Sequence, residues 1–149
     1  MVSDKLEEMF LFAIQWEIND NKTYLDLTER VERPFLKGKL KLLAEEERKH
    51  RATLEEMYKV YYPGKDIVIP PDLKGPEMNV TFMNENQLVK ILETAMEYEK
   101  EAEKYYLSMA EKLSDDLETS ATLTYFAAME ATHYELLRTE KEQIERLNK

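Results

Sequence analysis

The sequence predicts an all-α fold, a four-helix bundle with a long crossover between the second and third helices. Four long segments are rich in Glu, Lys, Leu, Ala and Met, and their apolar residues recur every three or four positions, as in amphipathic helices. Four of the five Pro and two of the three Gly fall between the second and third of these segments. The first two helical segments also resemble the last two, which indicates a repeated helical hairpin.

Each helical segment has sequence features that place its ends. Pro34 suits the first turn of the second helix, where its missing N–H is not needed. Ser114 or Asp115 can cap the fourth helix with a side-chain oxygen. Gly38 weakens the second helix slightly, because Gly has a low helix propensity. We expect helices at residues 3–31, 34–61, 84–113 and 116–147 of a single domain that spans residues 1–149.

Residues 62–83 are expected to form the crossover. Antiparallel helices that lie side by side usually need only about 2–8 connecting residues. A connection of this length therefore predicts a strap that runs along the bundle. The apolar run Ile67-Val68-Ile69 is its expected anchor.

Composition excludes several classes of function. The chain has no Cys, which excludes disulfides, thiolate metal sites and a cysteine nucleophile. Its formal charge of −10 argues against nucleic acid and against an anionic membrane surface as partners. No apolar run is long enough for a membrane span, and acidic residues near the N-terminus do not fit a signal peptide. We expect a cytoplasmic protein.

The two halves of the chain align residue by residue. The first helix matches the third at an offset of 82, and the second matches the fourth at an offset of 83. The matches include the scarce His and several Ala. The aligned pairs are Ala13 with Ala95, Glu17 with Glu99, Tyr24 with Tyr106, Ala44 with Ala127, Glu47 with Glu130, His50 with His133 and Leu54 with Leu137.

Acidic residues interrupt the apolar stripe of every helix. A charged residue on such a stripe is buried at a cost in free energy. The first and third helices each contribute one Glu, and the second and fourth each contribute Glu-x-x-His, whose two side chains project from one helix face. The only two His of the chain belong to these motifs. The six residues, predicted to converge at one level and to bind metal ions, are Glu17, Glu47, His50, Glu99, Glu130 and His133.

The sequence resembles the rubrerythrin family of the ferritin-like superfamily over essentially its whole length. The resemblance rests on the segments AIQWEINDNKTYLDLTE, AEEERKH, AMEYEKEAEKYYLSMAE and AAMEATHYELL. It implies a ferritin-like bundle with two iron ions, with Glu47 and Glu130 as bridging ligands. Manganese and zinc also accept N and O ligands of this kind. It further implies reduction of peroxide or dioxygen, and a homodimer.

Two departures from the family pattern leave the activity open. Full-length rubrerythrins carry a Cys-ligated rubredoxin domain, whereas this sequence fits a stand-alone di-iron domain that needs an external electron-donor protein. Many rubrerythrins place another carboxylate three residues after the third-helix ligand, where this chain has Ala102, and Asp20 or Glu103 could partly substitute. Iron binding or storage without turnover, or a structural protein with a vestigial site, are the alternatives.

Two tyrosines are candidates for a supporting role at the site. Tyr24 and Tyr106 each follow a predicted ligand by seven residues, two helical turns along the same stripe. A phenol there could hydrogen-bond a ligand carboxylate of the other hairpin. Ordinary core packing accounts for their positions equally well.

Overall fold

The computed structural model of the protein describes residues 5–147, and all four predicted helices are present in it. The predicted start of the first helix, residue 3, lies outside the described residues. Every other predicted helix end falls within one residue of the observed one. The described residues contain no strand. The helices are α1 (Lys5–Arg30), α2 (Pro34–Tyr61), α3 (Glu85–Lys112) and α4 (Leu117–Leu147).

Polar side chains cap α3 and α4 at their N-termini. The Asn84 side chain accepts a hydrogen bond of 3.0 Å from the backbone N–H of Gln87. The Asp116 carboxylate accepts one of 3.2 Å from the backbone N–H of Thr119. Asp116 is therefore the cap of α4, and the expected caps, Ser114 and Asp115, were placed too early because the helix begins one residue later than predicted.

The contacts divide the chain into two compact units, one ending at Glu77 and the other beginning at Met78. The first is a hairpin in which α1 packs against α2, with residues 62–77 of the crossover. The second is a hairpin in which α3 packs against α4. The short connections within each hairpin require antiparallel helices. The expectation of a single domain stays a prediction.

The crossover is fastened to α1 by the side chain of Asn19. Its amide donates hydrogen bonds of 2.7 Å and 3.0 Å to the backbone carbonyls of Lys74 and Pro76. Gln15, one turn earlier, donates to the Asn19 side-chain oxygen at 2.8 Å. Gly75 lies between the two carbonyls with φ at +70°, and a Cβ there would lie 3.3 Å from the Asn19 amide nitrogen. The backbone therefore approaches α1 closely at a residue that has no side chain.

A second set of contacts holds the crossover to α1, near the N-terminal end of that helix. The buried Glu7 carboxylate accepts a hydrogen bond of 3.0 Å from the Tyr58 hydroxyl and forms an ion pair with Lys65 of the crossover. Burial and the hydrogen bond to Glu7 raise the pKa of Tyr58 to about 12, so the phenol keeps the proton that it donates to Glu7 even in alkaline solution. The predicted apolar anchor is only partly correct, because Val68 in its middle is 71% exposed.

No helix among the described residues is long and apolar enough to cross a membrane.

We predict that Gly75→Ala destabilises the protein more than Gly64→Ala. Both glycines have positive φ, which costs an Ala residue about 1 kcal/mol or more at each position. Only at Gly75 would the added Cβ have neighbours within 4 Å, so only there must Asn19 also shift. Thermal denaturation of both variants measures the difference. Equal losses in melting temperature would show that the Asn19 contact contributes nothing measurable.

Candidate metal centre

In the first hairpin, three of the predicted ligands lie together. Glu17 projects from α1, and Glu47 and His50 project from one face of α2, because residues three apart on a helix are neighbours. The His50 Nδ1 lies 3.6 Å from a carboxylate oxygen of Glu17 and 3.5 Å from one of Glu47. All three side chains are buried, the two carboxylates completely.

The second hairpin repeats this arrangement. Glu99 projects from α3, and Glu130 and His133 project from α4. The His133 Nδ1 lies 3.6 Å from a carboxylate oxygen of Glu99 and 3.8 Å from one of Glu130. None of these residues is more than 1% exposed. The internal sequence repeat is therefore also a repeat of side-chain geometry.

The spacing of these donor atoms fits a metal ion. In each hairpin the three residues offer ligand atoms that all lie within 4.8 Å of one another. Separations of 3.5–3.8 Å between nitrogen and oxygen are too long for good hydrogen bonds. Two atoms that each bind one ion at about 2.1 Å lie about 3.0–3.5 Å apart, so small movements would bring these donors into coordination. Each hairpin thus holds a cluster that could bind a metal ion.

Electrostatics give a reason for a cation at these clusters. Four buried carboxylates carry four negative charges when ionised, and an ionised carboxylate is strongly disfavoured away from water unless charge or hydrogen bonds compensate it. Two divalent ions supply four positive charges. The donor set, carboxylate oxygen with imidazole nitrogen and no sulfur, suits iron, manganese or zinc.

Tyr24 and Tyr106 are both buried, at 3% and 2% exposure. The Tyr106 ring packs edge-on against Phe126, with ring centroids 5.5 Å apart, so this tyrosine has a packing role within its hairpin. A hydrogen bond from either phenol to a ligand carboxylate stays a prediction.

Asp20 is a further buried acidic residue of α1, outside the six predicted ligands. It follows Glu17 by three residues and is 7% exposed. A signal for its burial was present in the sequence, because position 20 continues the alternating steps of three and four that join Ala13, Glu17 and Tyr24. An Asp at that step is more typical of a solvated helix face, and only the structure shows that it is buried.

Comparison with known proteins identifies the family. The rubrerythrin family model matches residues 8–141, which is most of the chain. This chain belongs to the rubrerythrin family. The fold class predicted from the sequence, all-α and ferritin-like, is thereby confirmed.

A solved structure supports the same assignment. It is titled a hypothetical protein from Pyrococcus furiosus, and this rubrerythrin-family chain is 34% identical to it, with a TM-score of 0.88. The match covers 96% of this chain and 92% of that one. A comparison with curated proteins found no match.

We predict that Glu47→Gln makes the metal-free protein more stable and the metal-loaded protein less so. Removing one buried negative charge relieves repulsion, which we expect to raise the free energy of unfolding by about 1 kcal/mol, or roughly 2–4 °C in melting temperature. The same change removes a ligand oxygen, so the stabilisation by added metal, about 2.7 kcal/mol at a hundredfold excess over Kd, should shrink.

Melting temperatures measured in chelator and in excess zinc, which is redox-inert, check both parts of this prediction. Glu56→Gln, an exposed change on the same helix, is the matched control and should alter neither value. If Glu47→Gln destabilises the metal-free protein and leaves the zinc-induced shift intact, Glu47 is not a ligand.

Proposed function

We propose that this rubrerythrin-family protein is a di-iron oxidoreductase that reduces peroxide or dioxygen to water with electrons from an external donor protein. The observation that carries the proposal is the duplicated buried set of two carboxylates and one histidine, one set in each hairpin. Family membership supports two iron ions as the occupants.

In this proposal all six predicted ligands hold the metal. Glu47 and Glu130, which the family resemblance implies as shared ligands, would hold the ions together with the other four residues. When bound, the iron pair supplies the two electrons that convert one peroxide and two protons into two waters. The ligands are Glu17, Glu47, His50, Glu99, Glu130 and His133.

The side chains of the protein contribute placement, exclusion of water and proton handling. The helix backbone fixes Glu47 relative to His50, and Glu130 relative to His133, so that carboxylate and imidazole donors are available without a large rearrangement. Burial excludes bulk water from both sets, which strengthens their interaction with charge. Ligand carboxylates are the groups best placed to accept and release the protons that water formation consumes.

The wider setting follows from composition and from the family. The formal charge of −10 argues against nucleic acid or an anionic membrane surface as a partner, and we propose a small oxidant and a donor protein instead. We propose a cytoplasmic homodimer. Manganese or zinc would bind the same donors, but only iron and manganese can change oxidation state, and zinc-loaded protein should therefore be inactive.

Peroxide consumption by the reduced, iron-loaded protein tests the proposal. We expect peroxide to oxidise the ferrous iron of the protein within seconds of mixing. The same oxidation should occur again after each addition of reductant. Stopped-flow spectroscopy with a peroxide assay measures both. A single stoichiometric oxidation that leaves iron in the protein without further turnover would instead indicate iron storage, which Ala102 in place of a family carboxylate keeps as the second candidate.

We predict that Glu99→Ala lowers the bound iron by at least one ion per chain. The variant removes the only ligand that α3 contributes, and the other donors of that hairpin cannot replace it. Iron per chain, measured by elemental analysis after anaerobic loading, checks this. Glu97→Ala, an exposed change two residues earlier on the same helix, is the control and should keep full loading. Full occupancy in Glu99→Ala would show that the ligand assignment is wrong.

A further inference from the structure

The segment that begins α2 carries a charge opposite to that of the rest of the chain. Residues 33–44, called the basic segment below, contain Arg33, Lys37, Lys39 and Lys41 and no acidic residue, which gives a formal charge of +4. The whole chain has a formal charge of −10, so the residues outside the segment together carry −14. Each of the other three helices has an acidic residue in its first turn, where the helix dipole favours it, and α2 has none. Helix stability therefore does not account for this cluster of cations.

Two large apolar side chains of the basic segment are exposed. Phe35 is 86% exposed and Leu42 is 51% exposed. They lie seven residues apart, about two turns along the helix, and therefore form one ridge. Lys37 and Lys41 are also exposed, and because they lie four residues apart they form a second ridge. An exposed aromatic side chain bordered by polar groups is typical of a surface that binds another protein.

Gly38 lies between these two ridges, and the fold does not require a glycine there. Its φ is not positive, and a Cβ added to it would have no neighbour within 4 Å, so an Ala would fit without strain. Gly inside a helix is also less favourable than Ala. The missing side chain leaves a shallow depression in which another molecule can approach the helix backbone closely. A bound partner therefore accounts for Gly38, whereas the fold does not.

The charge of this surface favours an acidic protein over a second copy of the chain. In a closed two-fold dimer the same surface of both copies would meet, and the Lys37 and Lys41 side chains would repel their counterparts. A small acidic protein would place carboxylates against these lysines. The net negative charge of the remaining residues would repel that protein elsewhere, which restricts docking to the basic segment.

We propose that the exposed surface of the basic segment is the docking site of a small acidic electron-donor protein. The partner's role as a donor rests on the proposed function, whereas the docking of an acidic protein does not depend on iron. The lysines pair with carboxylates of the partner, and the apolar ridge fills the centre of the contact. The residues of this docking face are Phe35, Lys37, Gly38, Lys41 and Leu42.

The docking face and two of the predicted ligands belong to the same helix. Leu42 precedes Glu47 by five residues, which corresponds to about 8 Å along the helix axis. His50 follows one turn later. A donor bound at the docking face is therefore held at a fixed distance from the candidate ligands of the first hairpin.

Binding of an acidic rubredoxin tests the docking site without turnover. The purified protein is titrated with this rubredoxin in the absence of reductant, and calorimetry measures the affinity. The control is the same rubredoxin with its surface carboxylates amidated. We expect the acidic form to bind at least tenfold more tightly than the amidated form at about 50 mM salt, and to bind at least tenfold more weakly at about 500 mM, because ions screen exposed charges. Equal affinities of the two forms, or no binding of the acidic form at low salt, would overturn the proposal.

Charge reversal on the docking face locates the contact. Lys37→Glu with Lys41→Glu should weaken binding of the acidic rubredoxin at least tenfold. Lys100→Glu with Lys104→Glu is the matched control, because it reverses two exposed lysines with the same spacing on α3 and changes the net charge equally. The control should keep the affinity to within about threefold. An equal loss in both double variants would show that only the net charge matters, and the docking site would be wrong.

Two single variants test the apolar ridge and the close approach. Phe35→Ala should lower the affinity about tenfold and leave the melting temperature unchanged, whereas Leu117→Ala, at an 80% exposed position that begins α4, should alter neither. Gly38→Ala should raise the melting temperature by about 2–4 °C and still weaken binding at least tenfold. A purely structural glycine would not combine these two effects. Unaltered affinity in Phe35→Ala and Gly38→Ala would contradict the proposal.

Oligomeric state and turnover separate the docking site from its alternatives. Phe35→Ala should sediment like the unaltered protein, and a change in oligomeric state would make this surface an interface between copies and overturn the proposal. Iron-loaded Lys37→Glu with Lys41→Glu should consume peroxide at the unaltered rate with dithionite, and at least tenfold more slowly with reduced rubredoxin. Unaltered protein that turns over with neither reductant overturns the proposed function and leaves the binding result standing. Normal turnover with an affinity insensitive to the docking face overturns the docking site alone.

Discussion

The burial of ionisable groups is the constraint on which the rest of this structure depends. Glu17, Glu47, Glu99 and Glu130 are each at most 1% exposed, in a protein whose other acidic residues are mostly on the surface. Such burial is tolerable only where cations or hydrogen bonds offset the loss of hydration. Helix positions that could have held Leu therefore hold groups that could bind a metal, at the expense of metal-free stability, as is common at functional sites.

Duplication explains why the site has its composition. A hairpin with one Glu on its first helix and Glu-x-x-His on its second provides three residues that could bind a metal ion. Two such hairpins provide six donors in two equivalent sets, with matching distances from each imidazole to its two carboxylates. The exception at Asp20 and Ala102 shows that the halves have diverged at a buried position, where a change in charge has the greatest electrostatic effect.

Much of this architecture could be predicted because it follows from local periodicity. The helix ends were predicted to within one residue wherever they can be compared, since Pro34, the crossover prolines and the apolar stripes mark them in the sequence. The six candidate ligands stood out in the sequence because a charged residue on an apolar stripe needs an explanation. Asp20 was named only as a possible substitute for the missing family carboxylate, and its burial was not predicted, because two acidic residues three positions apart resemble a solvated face. The fastening of the crossover by Asn19 and Glu7 depends on contacts between residues more than fifty positions apart, which periodicity does not encode.

The placement of these fastenings bears on how the chain folds as it is synthesised. Lys65, Lys74 and Pro76 all bind residues of α1 that precede them, so these contacts can form once residues up to Glu77 have left the ribosome. The N-terminal half can therefore become compact before α3 emerges, in keeping with the tendency of chains to fold from the N-terminus. If the first hairpin folds early, with the crossover already bound to α1, it has fewer ways to pair wrongly with α3 and α4, whose sequences resemble those of α1 and α2.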